Sequence, residues 1–428
     1  MPHRSPWSQF LHSNGPLPIA IVCLLIAGAF IDEPRRLGAA WSNGLALLAI
    51  EVMLVVGLKL VVGTTGQIWL GQAAAYAIGV YAVSAPMAHG AVALDRPLHS
   101  FCWYASAAVI ALIGAAAIGQ ILWLVRLSGR LFHWLPATLL GLLVLWCIVD
   151  VSIVHLTGDR PWLIWPRLPG LAAAAHGAMV QWSTSQLPQT GPTWAGMLVL
   201  IGGAATAGGA VGWVIGLAAC NRSPKALLLL GLVLAAAAPN VLWTDPDTLA
   251  TAATSQAQLP IFTWCAIVAT LAVIAVWRVR YSNIGRAMLA VRENALAAAT
   301  VGVEPERPRM LALVLCMVVA AAAGALRTQV PREIGLDEFS LLRGMALVAA
   351  VAIGGMHSIS GAVLAAMVLG IVPTVWPQWQ AVWYGALGVA MVVMLRLRPE
   401  GVFGRRELWP VIGAATDARQ KSRGEDQP

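Results

Sequence analysis

Charge is what this sequence has least of. Only 11% of its 428 residues are charged and 59% are hydrophobic, with a mean hydropathy of +0.76. Soluble domains run near a quarter charged, so this chain cannot cover a globule with polar surface. Long charged faces, a polar interdomain linker and low-complexity tracts are also missing. No Gly-Lys dipeptide occurs anywhere, so there is no P-loop to bind and split ATP. Cys23, Cys102, Cys147, Cys220, Cys265 and Cys316 are scattered without a C-x-x-C spacing, which reads as buried small hydrophobes and not as disulfides or metal ligands. No cofactor is expected. The net charge of +8 lies in loops between apolar stretches, a topogenic placement that argues against a nucleic-acid surface.

What is present is a series of apolar runs near the roughly 17–25 residues that cross a bilayer. They fall at 16–31, 38–62, 64–87, 100–125, 133–157, 194–219, 224–243, 258–277, 310–326, 341–355, 359–376 and 379–395. The fold class expected is an all-α, polytopic transmembrane helical bundle of about 10–12 spans, some broken or re-entrant. With both termini in the cytoplasm, 18 of the 27 Lys and Arg fall inside and 8 outside, the latter including Arg327, Arg332 and Arg343. The first run reads as a retained signal-anchor span. The loop 158–193 is rich in Trp and Pro, with Trp162 and Trp165 suited to an interfacial belt or a docking surface, and the tail after Trp409 reads as disordered.

Three ionisable residues interrupt the runs: Glu51, Lys59 and Asp150. Such residues line paths, pair or snorkel. Glu51 and Lys59 are about two turns apart on one helix, too far to pair directly but close enough to share a polar seam. Asp150 lies toward the outer end of its run.

A polar stretch long enough to stand clear of lipid lies between apolar runs at 277–310, "WRVRYSNIGRAMLAVRENALAAATVGVEPERPRM". Breakers at Asn283 and Gly285, then Gly302, Pro305 and Pro308, enclose good helix formers. Met288, Val291, Leu296 and Val303 leave one apolar edge beside Arg292 and Glu293, the pattern of a short amphipathic helix lying along the membrane. "GTTGQIWLGQ" (63–72) places Gly63, Gly66 and Gly71 beside Thr64, Thr65, Gln67 and Gln72. It reads either as an unwound segment lining a path or as helix packing through small residues. The turn at 354–361 is a second candidate of that kind.

These stretches resemble the permease family of high-affinity branched-chain amino acid ABC importers. The polar loop is similar to that family's coupling loop through Gly285, Arg286, Ala287, Arg292, Glu293, Ala297, Ala298 and Gly302. Residues 63–82 resemble its Gly-Gln-x-x-Leu-Gly-x-Ala-Ala signature through Gly66, Gln67, Leu70, Gly71, Ala73 and Ala74, to which Gln72 is added as a path candidate. Residues 352–370 resemble its Gly-Gly-x-x-Ser-x-x-Gly turn through Gly354, Gly355, Ser358 and Gly361, and "RPEGVFG" (398–404) resembles its closing Arg-Pro-x-Gly. The departures are Asn294 and Ala295 in place of Asp-Glu, Ala299 in place of Arg, His357 in place of Gly, and no acidic residue near 344–347.

The resemblance implies a transport subunit of the cell inner membrane, not an enzyme. It implies two separate ATP-binding subunits gripping the loop, a second related permease subunit, an extracytoplasmic substrate-binding protein, and substrates that are branched-chain or other apolar amino acids, or a small amide or urea. The expected organisation is an anchor span and outer loop (1–43), a first permease half (44–157), an outer loop (158–193), an inserted helix pair (194–243), a second half with the coupling loop (244–404) and a cytoplasmic tail (405–428). The residues alone leave two other readings open: a proton-coupled secondary transporter using Glu51 and Asp150, and a degenerate, non-transporting subunit.

Overall fold

The computed structural model describes residues 39–88, 100–101, 104, 193–219, 224–243, 261–356, 358–375, 377–397 and 401–402. The expected spans at 16–31, most of 100–125 and 133–157, the loop 158–192, the tail, Asp150 and His357 lie outside these residues.

Within the described residues the chain is helical, with no β-strand. Its helices are α1 (Ala39–Lys59), α2 (Gln72–Ala88), α3 (Thr193–Ala219), α4 (Pro224–Trp243), α5 (Ile261–Tyr281), α6 (Asn283–Glu293), α7 (Ala295–Thr300), α8 (Glu306–Arg327), α9 (Leu341–Gly354), α10 (Ile359–Val375) and α11 (Gln380–Leu397). Among the described residues four stretches are long and apolar enough to cross a membrane: Ser42–Thr65, Trp194–Gly216, Ile261–Tyr281 and Glu306–Arg327. Shorter apolar helices cover Leu227–Ala237, Leu341–Gly354, Ile359–Pro373 and Val382–Met394.

Burial ranks these helices. The apolar window of Ser42–Thr65 is 78% buried and that of Glu306–Arg327 61%, against 33% for Trp194–Gly216 and for Ile261–Tyr281. The core is therefore α1 and α8, with Ile50, Met53, Leu54 and Leu58 on the first and Leu313, Cys316, Met317 and Ala320 on the second. Around this pair, α8 takes α3 and α2, whereas α1 takes α10 and α5; α9 packs between α10 and α11. The 194–243 pair does not stand apart from the bundle: α3 makes its most extensive contact with α8, and α4 lies on α2.

In lipid, helices gain little from hiding apolar surface from one another and associate where small residues let backbones approach. The α2–α8 crossing has that form. A Cβ at Gly79 would strike the Ala321 carbonyl, and one at Gly324 would strike the Tyr76 carbonyl and sit 2.7 Å from the Val80 nitrogen. Since the obstacle on both sides is backbone, a side chain there must push the helices apart.

One expected span is different in the structure. Residues 64–87 do not form one helix. α1 loosens into a π-helical turn at Leu60–Thr65, Gly66 takes a left-handed conformation (φ 71°), and the chain runs without helix to Gly71 before α2 begins at Gln72. Hydropathy saw only the apolar total; three glycines and two threonines decide the local backbone.

Gly324→Leu is expected to cost about 3 kcal/mol or more, at the upper end of overpacking penalties. It should show as a lower thermal midpoint and aggregation of the detergent-purified chain, while Gly202→Ala, where nothing lies within 4 Å of the added carbon, leaves the midpoint unchanged.

Candidate functional site

The polar loop folds as two helices, not the single short amphipathic helix expected between its breakers. Ser282 caps α6, its hydroxyl accepting from the Gly285 amide at 3.3 Å. Asn294 then ends α6 in an extended conformation and caps α7, its Oδ1 accepting from Leu296 N (3.0 Å) and Ala297 N (3.1 Å). Asn is among the best residues for that role. α7 closes when Val303 N donates to Ala298 O (3.0 Å) and Gly302 N to Ala299 O (3.1 Å), with Gly302 at φ 88°, the paired-bond ending that glycine serves best.

The break at Asn294 also divides the apolar edge. Met288 and Val291 are buried against the bundle, but Leu296 is 81% exposed and Val301 83%. Continuous helical spacing put Leu296 on the buried side; the extended residue before it turns α7 outward.

The two charges of the loop part company in the same way. Glu293 is exposed, whereas Arg292 is half-buried and reaches into the bundle. Its Nη1 donates to the Gly63 carbonyl at the loosened end of α1, and its Nη2 lies 3.6 Å from Met356 Sδ. Thr64 Oγ1 lies 3.6 Å from Met288 Sδ. The turn at 354–361 meets this junction from the other side: Gly355 has φ 106°, Ser358 Oγ accepts from Gly361 N at 3.0 Å, and Val402 N donates to Ile353 O at 3.0 Å. Thus Gly63, Gly66, Arg292, Gly354, Gly355, Ser358, Gly361 and the 401–402 stretch, far apart in sequence, converge at one end of the bundle. Gly285 is buried and Arg286 is exposed, hydrogen-bonded to Asn283; Ala297 is exposed and Ala298 buried.

From this junction the segment 66–71 runs into the bundle. Trp69 is fully buried and Gln67 nearly so. Gln72 is hydrogen-bonded at both ends of its amide, donating to Leu54 O (3.0 Å) and accepting from Cys316 Sγ (2.9 Å), which joins the start of α2 to α1 and α8. Gln67 Oε1 and Trp69 Nε1 are buried with no hydrogen-bond partner among the described residues, and Leu70 is half-buried against Gly344 and Gly231.

Further along the bundle, with Glu51 about 18 Å from Gly63 by the helix rise of α1, lies an ionic chain that spacing in the sequence does not announce. Arg327, wholly buried, forks onto Glu338, with Nε to Oε2 at 3.1 Å and Nη2 to Oε1 at 2.7 Å, and also donates to the carbonyls of Arg332 (3.0 Å) and Glu333 (2.8 Å). Tyr76 Oη donates to Glu338 at 2.9 Å. Arg343 Nη1 lies 3.4 Å from Glu338, and its Nη2 reaches Glu51. The partner of Glu51 is therefore Arg343, not a seam with Lys59. Lys59 does not snorkel either; it is 1% exposed, packed beside Gly63. Arg327 and Arg343, outer-loop charges by the positive-inside count, are instead buried partners of carboxylates. The available clue was the position of each at the very edge of an apolar run, with an acid between them at 338.

This helical, multi-pass arrangement, broken at 66–71 and 355–358 and carrying a polar helix pair at one end, defines a membrane permease. The profile of the family described as "Branched-chain amino acid transport system / permease component" matches residues 169–395, so the chain belongs to that family. Among curated proteins it is similar to the high-affinity branched-chain amino acid transport system permease protein LivH of Escherichia coli K12, 31% identical over 157 residues, which is 36% of this chain and 49% of that protein. It is also similar to LivH of Salmonella typhimurium (30% over 157 residues, the same shares) and to LivM of Escherichia coli K12, 26% identical over 136 residues, or 32% of each chain. The chain thus spans about half the length of the first of these relatives. No solved structure matches.

Burial alone would raise the Glu338 carboxyl, but Arg327, Arg343 and the hydrogen bonds from Arg327 and Tyr76 hold it below the ordinary value of 4.5. A carboxylate lowered on folding contributes stability that is present above its unfolded value and lost as pH falls through the folded one. Thermal stability in detergent should therefore hold from neutral pH down to about 5 and fall below it. Glu338→Gln should lower the neutral-pH midpoint by roughly 5 °C and flatten the acid limb.

Proposed function

We propose that this chain is the membrane-spanning subunit of an ATP-driven importer for branched-chain or other apolar amino acids, worked by separate ATP-binding subunits through α6 and α7. The observation that carries this reading is the Arg292 link. One guanidinium, on a helix that otherwise stands at the surface, touches both places where the transmembrane backbone is broken, Gly63 and Met356. A displacement of α6 is thereby passed to the two breaks at once, as a two-state transporter requires. α7 supplies the outer half of the device, with exposed Leu296 and Val301 as apolar contacts and exposed Glu293 for charge-assisted hydrogen bonds.

The rest follows from the permease family and the sequence. The lack of a Gly-Lys dipeptide in the sequence supports placing ATP hydrolysis on partners. In this reading the α6–α7 end and both termini face the cytosol, a second related permease completes the membrane unit, and an extracytoplasmic binding protein delivers the substrate. The proton-coupled reading is less favoured: Glu51, its central carboxylate, is engaged by Arg343.

Two classes of variant separate grip from transmission. Leu296→Asp, Glu293→Ala or Gly302→Leu should each reduce co-purification of co-expressed ATP-binding subunits. For Gly302→Leu the cause is a left-handed residue strained by about 1–2 kcal/mol. Arg292→Ala should leave co-purification intact while substrate-stimulated ATP hydrolysis in proteoliposomes falls about tenfold or more, as expected for losing a hydrogen bond from a charged group. Undiminished co-purification in all three surface variants, or undiminished stimulation in Arg292→Ala, overturns the reading.

A further inference from the structure

Of the membrane-length helices α5 is among the least covered, its apolar window only 33% buried, and its open side is ordered. Ile267, Leu271 and Ile274 are exposed there, followed along the helix by exposed Arg278 and Tyr281. At about 100° per residue the five lie within about 80° of one another. They form one stripe, apolar first, then cationic and aromatic. By helix rise Ile267 and Arg278 are about 16 Å apart, close to half the hydrocarbon core of a bilayer, about 15 Å. An acyl chain laid along the three apolar residues therefore ends with its head group level with Arg278.

The end of the stripe carries a charge that the chain leaves unanswered. Arg307, also exposed, pairs with Glu304 at 2.7 Å, and Arg327 and Arg343 pair with buried carboxylates. Arg278 has no carboxylate within 4 Å among the described residues. Beside it the Trp277 and Tyr281 rings lie tilted against each other, 5.3 Å between centroids. The Arg280 guanidinium carbon is 6.0 Å from the Tyr281 ring, which brings a second cationic side chain to the same aromatic. Trp and Tyr with a neighbouring cation are the side chains that settle at head-group level in a membrane.

We infer that the stripe from Ile267 to Tyr281 is a docking site for one anionic glycerophospholipid, its phosphate held by Arg278 and an acyl chain laid along Ile267, Leu271 and Ile274. Charge complementarity selects the lipid class. Phosphatidylglycerol brings a net negative charge to an unanswered guanidinium, whereas phosphatidylethanolamine carries its own ammonium beside the phosphate and is neutral. The site lies where α5 turns through Ser282 into α6, so the bound head group borders the polar helix pair. It requires only that α5 crosses the bilayer, and it stands apart from the importer reading.

The test places the full-length chain in phosphatidylcholine nanodiscs. These are doped, at equal mole fraction, with phosphatidylglycerol or phosphatidylethanolamine carrying a diazirine on one acyl chain. After irradiation, mass spectrometry measures the label on the segment Ile261–Tyr281. Phosphatidylglycerol should label it at least about fivefold more than phosphatidylethanolamine, the value of one arginine at an anionic head group. The ratio should shrink toward one in about 1 M salt, where the Debye length is about 3 Å. Arg278→Gln should remove most of the preference and leave the phosphatidylethanolamine label unchanged, while Arg307→Gln, at an arginine already paired, should leave the preference intact. Equal labelling by the two lipids on the native chain, a preference untouched by Arg278→Gln, or the same loss in Arg307→Gln overturns the site. If Arg278→Gln lowers co-purification of ATP-binding subunits while lipid labelling stays as it was, the face belongs to that partner and the lipid site falls. The comparison of lipids on the native chain decides even if a variant fails to fold.

Discussion

In a bilayer no water stands by to satisfy a freed backbone group, so each break in a spanning helix has to be met by the protein itself. That constraint governs the α1–α2 region. Where α1 loosens, the Thr65 hydroxyl donates back to Val61 O at 2.7 Å and the Thr64 hydroxyl to Leu60 O; Gly63 O is met by Arg292, and Leu54 O, deeper in the helix, takes a second bond from Gln72. The break and the surface helices are thus one object, because the residue that completes the broken backbone belongs to the polar loop more than two hundred positions later.

The second half of the molecule obeys the same rule with charges in place of peptide groups. Taking two ions out of water is costly unless geometry and extra hydrogen bonds compensate. Arg327 achieves this with a fork onto Glu338 and two backbone carbonyls, and Tyr76 supplies one more donor. The result joins α8, α2, the Leu336–Phe339 turn and α9 at the end opposite the Arg292 junction. The bundle is therefore tied at both ends by arginines. One is anchored to backbone at a point where the chain is already loosened, and the others to carboxylates, Glu51 within α1 and Glu338 in the Leu336–Phe339 turn.

Much of this was legible in the sequence, because much of it is local. The helix runs follow from apolar length; the unwinding at 63–71 follows from Gly63, Gly66 and Gly71 set among Thr64, Thr65 and Gln67; the end of α7 follows from Gly302. What composition and spacing could not disclose is long-range. Glu51 and Arg343 are 292 residues apart, and nothing in the periodicity near either names the other. Arg292 and Glu293 are neighbours in a polar loop, and only the three-dimensional course of α6 sends one inward and the other outward. Asn294 appeared as a lost charge compared with the resembled family; in the structure it supplies the oxygen that starts a new helix, a role for which charge is unnecessary.

The position of α8 has a consequence for how such a chain is made. α1, α2 and α3 all rest on it, yet it is synthesised after every one of them. During insertion the earlier helices must wait in lipid with Gly79 and its neighbours facing hydrocarbon, and with Glu51 still separated from an arginine not yet translated. Biogenesis of this permease is therefore a problem of patience: the keystone arrives late, and the membrane must shelter an unfinished arch until it does.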